Sequence, residues 1–435
     1  MKKIKTSLLL LMLLLIATYS FSREGKKIKI DLQESLAALF PKADIKKIDN
    51  LEGFSESYQI ILDEPIDHKN KEKGTFSQYI YLSHFDFKAP MVIVTEGYAA
   101  QYVKNEVSEL LNTNQVIVEY RFYGKSRPDP IPWDNLTCDQ AVEDYHTIAS
   151  TLKKLYTGKW ISTGISKGGE TTLIYKSKYP DDIDIAIPYV APLINGVEDK
   201  RTQQHINTIG TAECRAQLLA FQRNFLQNRE PVLKIMEEYA KRKQMTFTEV
   251  PMNEAIEYAA LEFPFSFWQW GGKCDEVPGK NATAQELVDY MNKIVGLYFY
   301  SDKKIDELLP SFYQHMRELG YYGFDLEPVK DLLQVVKSSS NSRFAPHGVT
   351  IKYDPEYIQK VRRYVETKGN RILYIYGGND TWVSCSPTPL PNVDALKMVL
   401  PGGSHATRIK KFPPEDQQKI MKTLKQWLLQ SNEKG

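Results

Sequence analysis

Residues 159–179, KWISTGISKGGETTLIYKSKY, constrain the fold more than any other part of the chain. Apolar residues at Trp160 and Ile161 open a strand. The strand runs into Gly164-Ile165-Ser166-Lys167-Gly168, and a stretch with helical spacing follows. Strand, Gly-x-Ser-x-Gly and helix in that order form a nucleophile elbow, in which a serine sits on a strained turn above a sheet. Gly164 and Gly168 have a steric reason to be glycine, because a β-carbon at either position would collide with the turn. The pentapeptide alone also arises in ordinary Gly-Ser loops, so it is the flanking strand and helix that make it an elbow.

An elbow needs a parallel sheet beneath it, and the preceding residues supply one. Residues 91–94 (Met-Val-Ile-Val) and 116–118 (Val-Ile-Val) are short, continuously apolar runs of the kind buried on both faces. Residues 183–190 form a third such run after the elbow helix. Helices are expected at residues 103–111 and from a cap at Thr137 or Asp139 to about Tyr156. Upstream, residues 31–40 have helical spacing, and residues 58–62 and 76–83 alternate around a turn-rich segment, as in an antiparallel hairpin. Alternating strands and helices argue for an α/β fold with a mostly parallel sheet.

The alternation stops at about residue 195 and resumes only after residue 348. Between them the text is helical and aromatic, with amphipathic runs at 217–243, 284–298 and 302–318. A structureless loop of about 150 residues is improbable, so this reads as a helical insertion with its own core. Helix 354–367, strand 371–376, strand 395–400 and helix 414–429 then complete the sheet domain. The expected organisation is a catalytic domain of 23–195 and 349–435, interrupted by a helical cap of 196–348.

Residues 1–22 have a basic start, an apolar core and small residues before a plausible cleavage site at Ser20-Phe21-Ser22. This is the layout of a secretory signal peptide, and the apolar run is short for a membrane span. The alternative is an uncleaved anchor. The chain carries a formal charge of +2; the leader holds Lys2, Lys3 and Lys5 and no acid, so −1 remains without it. Such a balance offers no footprint for nucleic acid. Export favours disulfides among Cys138, Cys214, Cys274 and Cys385. Cys214 and Cys274 both fall in the insertion, which favours that pair together with Cys138–Cys385; buried free thiols are the alternative. No Cys-x-x-Cys motif or histidine cluster calls for a metal, and no cofactor is expected.

An elbow serine needs a base to take its proton and a carboxylate to orient that base. In the α/β-hydrolase arrangement the chain order is serine, acid, histidine. Asp380 follows strand 371–376 in Gly377-Gly378-Asn379-Asp380, and His405 follows strand 395–400 in Gly402-Gly403-Ser404-His405. Both stand at the strand edge where ligands gather in open α/β sheets. The backbone N–H of Lys167 is one expected oxyanion donor, with the other from Gly97 or Tyr98. The Lys167 side chain is expected to point to solvent.

Glu119-Tyr120-Arg121-Phe122-Tyr123-Gly124-Lys125-Ser126, Leu136-Thr137-Cys138-Asp139-Gln140-Ala141-Val142-Glu143-Asp144, the elbow, Asn379-Asp380-Thr381-Trp382 and Gly403-Ser404-His405 together resemble exported proline-specific serine exopeptidases. The nearer resemblance is to the prolyl tri- and tetrapeptidyl aminopeptidases, with prolyl carboxypeptidase and dipeptidyl peptidase II as distant relatives. Lys167 departs from the carboxypeptidase branch, which usually has an aromatic residue there. The resemblance spans nearly the whole mature chain. It implies an α/β-hydrolase fold with a helical cap, cleavage after proline near a free amino terminus, and a periplasmic or secreted location. In such an enzyme a proline ring needs flat apolar walls, for which Phe263, Phe267, Trp268, Trp270 and Trp382 are candidates, each of which could equally be core. An ammonium group needs a carboxylate, for which Glu96 and Glu119 stand at strand ends, though Glu119 could instead pair with Arg121. A carboxylesterase or lipase of the same fold, and a non-catalytic peptide-binding surface protein, are the competing readings.

Overall fold

The structure is a computed structural model that describes residues 31–430. The expected leader at 1–22 lies outside the described residues. The chain divides into a unit up to Pro41 and a unit from Lys42 onward. In the first, helix α1 (Leu32–Leu39) begins where Asp31 Oδ1 accepts the Glu34 N–H at 3.0 Å, a side-chain cap.

The second unit is built on one nine-stranded sheet. Its strands are β1 (Asp44–Ile48), β2 (Glu56–Pro65), β3 (Thr75–His84), β4 (Met91–Thr95), β5 (Asn114–Val118), β6 (Trp160–Ile165), β7 (Ile185–Tyr189), β8 (Ile372–Gly377) and β9 (Ala395–Leu400). They lie in the order β1-β2-β3-β5-β4-β6-β7-β8-β9. Strands β1, β2 and β3 pair antiparallel with one another, and β3 pairs antiparallel with β5. From β5 to β9 every pairing is parallel. Strands β4, β5 and β7 are buried along their whole length, as the apolar runs within them require. Strand β1 was not anticipated. Its text, Asp-Ile-Lys-Lys-Ile, is short and charged because it closes a sheet edge against further pairing.

Helices cover both faces. Val107 of α2 (Glu106–Leu111) and Ile420, Leu424 and Trp427 of the C-terminal helix (Pro414–Leu429) share one core with Val92, Val94, Ile161 and Ile187 of the sheet. Helix α3 (Cys138–Leu152), whose N-cap is Thr137, packs on α4 (Lys167–Lys178), which lies against β6 and β7. Helix α4 is buried from Lys167 to Lys176.

Between β7 and β8 come α5 (Lys200–Ile206), α6 (Ala212–Gln227), α7 (Arg229–Lys243), α8 (Met252–Trp270), α9 (Ala284–Ile294) and α10 (Asp302–Gln314). These helices have a core of their own, with Phe221, Phe225, Phe263, Phe267 and Met291 at its centre. The run expected at 217–243 is two helices broken at Asn228. Helix α11 (Pro355–Thr367) leads back to β8, and the C-terminal helix is α12. No helix among the described residues is long and apolar enough to cross a membrane.

Two of these helices contain proline, and each break in the backbone ladder is repaired by a side chain. Pro264 has no N–H to offer the Ala260 carbonyl, which instead accepts from Gln222 Nε2 at 2.7 Å. Pro310 likewise frees the Asp306 carbonyl, which accepts from Arg127 at 2.9 Å. A disulfide joins Cys214 to Cys274 as expected, tying the start of α6 to the turn after α8. Cys138 and Cys385 are not paired, contrary to expectation. Both are buried thiols in separate surroundings, Cys138 beside Tyr120 and Gln314 and Cys385 beside Asp199 and Ser384.

Candidate active site

Ser166 has φ 56° and ψ −123°, a left-handed conformation that a residue with a β-carbon adopts only under local constraint. Its N–H donates to the Tyr189 carbonyl of β7 at 2.9 Å, and its carbonyl accepts from the Glu170 N–H at 2.9 Å. A β-carbon at Gly164 would lie 2.2 Å from the Gly168 carbonyl oxygen, so the strand and the returning helix can approach only if residue 164 is glycine.

Asp380 stands just beyond β8 and is fully buried. It caps the short turn Thr381–Cys385 by accepting the Trp382 N–H at 3.3 Å through Oδ1. Its other oxygen, Oδ2, faces His405 Nδ1 at 2.8 Å. His405 follows β9 and is held by its own N–H, which donates to the Gln269 carbonyl at 2.8 Å. With Nδ1 engaged by the carboxylate, Nε2 is the nitrogen left to accept a proton. The Trp270 ring stands edge-on to the imidazole, with centroids 5.5 Å apart.

Ser166 and His405 line one cavity of about 1080 Å³. One wall comes from the sheet end, with Glu96, Tyr98 and Lys167. The opposite wall comes from α8, with Glu262, Phe265, Ser266, Gln269 and Trp270. Cross-ties join the walls: besides the His405–Gln269 bond, Thr381 Oγ1 donates to the Phe265 carbonyl at 3.2 Å.

Several expectations change here. The Lys167 side chain does not reach solvent. It is 3% exposed, donates from Nζ to the Gly97 carbonyl at 2.8 Å, and lies over the Tyr120 ring at 3.7 Å. Desolvation pulls its pKa down to about 8, against the opposing pull of Cys138, Glu170 and Glu318. Gly97 packs directly on the elbow, where an added β-carbon would meet the Gly168 nitrogen at 2.6 Å.

Glu119 is not a cavity residue. Its Oε1 accepts from the Ser126 N–H at 2.7 Å and from Ser126 Oγ at 2.8 Å, and its Oε2 accepts from the Ala100 N–H at 2.9 Å. It ties two loops together and does not pair with Arg121, which is bidentate to the buried Asp144 at 2.8 and 2.7 Å. Glu96 does line the cavity, and burial, then repulsion from Glu119, raises it to about 8.

Of the expected aromatic walls, Trp270 and Trp382 line the cavity; Phe263, Phe267 and Trp268 belong to the helical core. The helical period sorts them in part. Glu262, Phe265, Ser266 and Gln269 recur every three or four positions on one face of α8, with Trp270 at its edge, and Phe267 falls on the other. That spacing was present in the sequence and would have brought out Glu262, which was missed. Glu262 accepts from Ser266 Oγ at 2.6 Å and from the Tyr322 hydroxyl at 2.5 Å. Burial raises it to about 7, with those two hydrogen bonds opposing. Glu170 also lines the cavity, and burial holds it well above the ordinary carboxylate range.

Among the described residues one group of side chains, Glu64, His68 and Asp144, is close enough to share a cation. Asp144 is already occupied there by the Arg121 guanidinium and by His68 Nε2 at 2.6 Å, and none of the three lines the cavity. The donor set is that of an ion-pair network.

The strand order, the elbow after β6 and the acid and histidine beyond β8 and β9 together define an α/β-hydrolase. The chain belongs to the PS-10 peptidase S37 family, whose sequence profile matches residues 30–432, and it is accordingly a serine peptidase. It is similar to the prolyl tri/tetrapeptidyl aminopeptidase of Streptomyces mobaraensis, with 31% identity over 415 residues, covering 91% of this chain and 87% of that protein. Among solved structures, the proline iminopeptidase of Mycobacterium smegmatis is 15% identical, with a TM-score of 0.38, over 89% of this chain and 99% of its own. The 2-hydroxy-6-oxo-6-phenylhexa-2,4-dienoate hydrolase of Rhodococcus sp. strain RHA1 is 14% identical, with a TM-score of 0.33, over 88% and 100%. Neither structural likeness adds to what the strand order shows.

Proposed function

We propose that the protein is an exported exopeptidase that cleaves after proline close to a free amino terminus, releasing tri- or tetrapeptides through an acyl-enzyme. The observation that carries this reading is the Asp380–His405 pair at 2.8 Å, whose histidine shares one cavity with a serine on a strained elbow. Ser166 Oγ attacks the carbonyl carbon on the C-terminal side of proline as His405 Nε2 takes its proton. Asp380 holds the imidazole and stabilises the imidazolium. The oxyanion is taken by the Lys167 N–H and by an N–H of the Gly97–Tyr98 loop. His405 then protonates the departing amine, and water, activated by the same nitrogen, releases the acyl group as a peptide.

Specificity is assigned mainly to the α8 wall, with Glu96 and Trp382 added from the sheet end. Phe265, Trp270 and Trp382 offer flat apolar surface for a proline ring. Glu96 and Glu262 are half-buried cavity acids with which a terminal ammonium can pair. Residues 196–348, read as a cap, limit access to short, flexible peptides and exclude water. The Streptomyces relative bears the name of the activity proposed. Export is supported by the leader at 1–22 and by the Cys214–Cys274 disulfide.

The test is mass spectrometry of products from a ladder of proline peptides with free and acetylated amines. Cleavage after proline at the third or fourth residue, lost on acetylation, is expected. Equal cleavage of acetylated peptides would sink the amine-reading part, and faster turnover of short acyl esters than of proline peptides would favour an esterase.

A further inference from the structure

We propose that the Lys167 side chain is a positioning residue that sets the second oxyanion donor, fixing the Gly97–Tyr98 peptide so that the Tyr98 N–H faces the reacting carbonyl. The inference rests on Ser166 being the nucleophile. The Gly97–Tyr98 peptide is trans, so its C=O and N–H point to opposite edges of one plane. Lys167 Nζ holds the oxygen edge at 2.8 Å. Gly97 is packed against the elbow itself, with Lys167 Cβ only 2.7 Å from where its own β-carbon would be. With one edge pinned on the elbow, the Tyr98 N–H is turned to the far side. It donates to no backbone carbonyl among the loop and turn hydrogen bonds of the described residues, and β4 has already ended at Thr95. Tyr98 itself lines the cavity with Ser166.

The lysine is held for this task rather than left to roam. Its Nζ lies over three aromatic rings, at 3.7 Å from the Tyr120 centroid, 4.9 Å from Tyr123 and 5.5 Å from Tyr98. Ring faces replace part of the hydration that burial removes. No carboxylate lies within ion-pair distance of it among the described residues, so the Gly97 carbonyl is its specific polar partner. Glu170, Glu318 and Cys138 act on it only through the longer-range field, and it acts in turn on His315. The sequence position also has a consequence. The residue after the nucleophile gives one oxyanion donor through its backbone, and here its side chain would orient the other.

Lys167→Met keeps the backbone donor and the apolar stem but removes Nζ. Losing an oxyanion donor costs roughly 10²–10³ in kcat, and loosening one is expected to cost about 10–100-fold. KM should stay within about threefold, because the substrate carbonyl is not yet an oxyanion. Affinity for a peptidyl boronate, which forms a tetrahedral adduct on the serine, should fall in parallel with kcat. Affinity for a reduced-bond analogue with CH₂ in place of the scissile carbonyl should not change. Where the single variant does not fold, Lys167→Met with Glu170→Gln also removes the buried carboxylate left behind, and the same pattern is expected. A folded variant with kcat and boronate affinity within about threefold of wild type would overturn the proposal, as would equal loss of both inhibitors. Fluorophosphonate labelling of the wild type separates the two readings. No adduct at Ser166 would overturn the nucleophile assignment and this proposal with it, whereas an adduct together with an unimpaired variant overturns this proposal alone.

Discussion

The two walls of the cavity hold their side chains by different means. On the sheet side, each residue of the proposed triad stands at a strand end and is fixed by a few bonds: Ser166 by the strained elbow, Asp380 by its side chain as a turn cap, His405 by its N–H on Gln269. On the helical side, α8 offers a face of side chains whose placement depends on the whole segment around it, including a proline whose missing bond is made good from another helix. The first construction tolerates little change of residue type but needs few partners. The second tolerates change in any one aromatic and depends on many. Chemistry is expected from the first wall and selectivity from the second.

The largest effect that would test this division is on the sheet wall. Ser166→Ala is expected to lower kcat on the order of 10⁴-fold or more while leaving the melting transition in place, because the elbow backbone is fixed by bonds that do not involve the hydroxyl. Steady-state turnover of a chromogenic proline peptide, with thermal unfolding of the same sample, checks both halves. Retained turnover would place the nucleophile elsewhere.

The difference between the walls also explains what could be read from the chain. The elbow and the strand-end positions of Asp380 and His405 were legible because each is written locally, as a strand followed by a fixed turn. Most strands followed from the same local patterns. Strand β1 was not legible, since a charged edge strand has neither alternation nor an apolar run. The aromatic stretch around Phe267 is visible in the sequence, but which of its rings face the cavity is not. Its residues share a type, and what separates Trp270, in the cavity at the exposed end of α8, from Phe267, in the core, is what the rest of the fold packs against each. Lys167 and Glu119 misled for a related reason. A lysine is usually solvated, and its burial here is decided by three tyrosines from distant loops; Glu119 is consumed by Ser126 and Ala100, whose positions depend on tertiary folding.

On the helical wall a smaller effect is expected, and it should fall on binding. Leaving one member of a buried charge pair unpartnered costs about 2–5 kcal/mol. Glu262→Gln should therefore raise KM for free-amine peptides at least about 30-fold, with kcat much less affected. The pH dependence has a definite sign. Burial raises Glu262 to about 7 in the empty site, and only its ionised form attracts an ammonium group. KM should therefore rise as pH falls below about 7, by roughly tenfold per unit at the limit, and that limb should vanish in Glu262→Gln. Acetylated peptides should show neither effect. A limb near pH 8 that survives in Glu262→Gln would remove Glu262 from amine recognition and leave Glu96, raised to about 8, as the remaining candidate.

The smallest effect tests whether the helical wall depends on remote support. Gln222 is buried on α6, and its side-chain amide replaces the bond that Pro264 cannot give to Ala260. Gln222→Ala leaves a buried carbonyl without a partner, at a cost of about 1–3 kcal/mol. The urea midpoint should fall with an unchanged slope. Adding Pro264→Ala restores a backbone N–H at position 264 that can reach the Ala260 carbonyl, so the double variant should be more stable than Gln222→Ala alone. The non-additive part of that cycle measures the repair itself. Strict additivity would mean that the proline and the glutamine are independent, and that the cavity face of α8 does not rely on its neighbour to stay helical through Pro264.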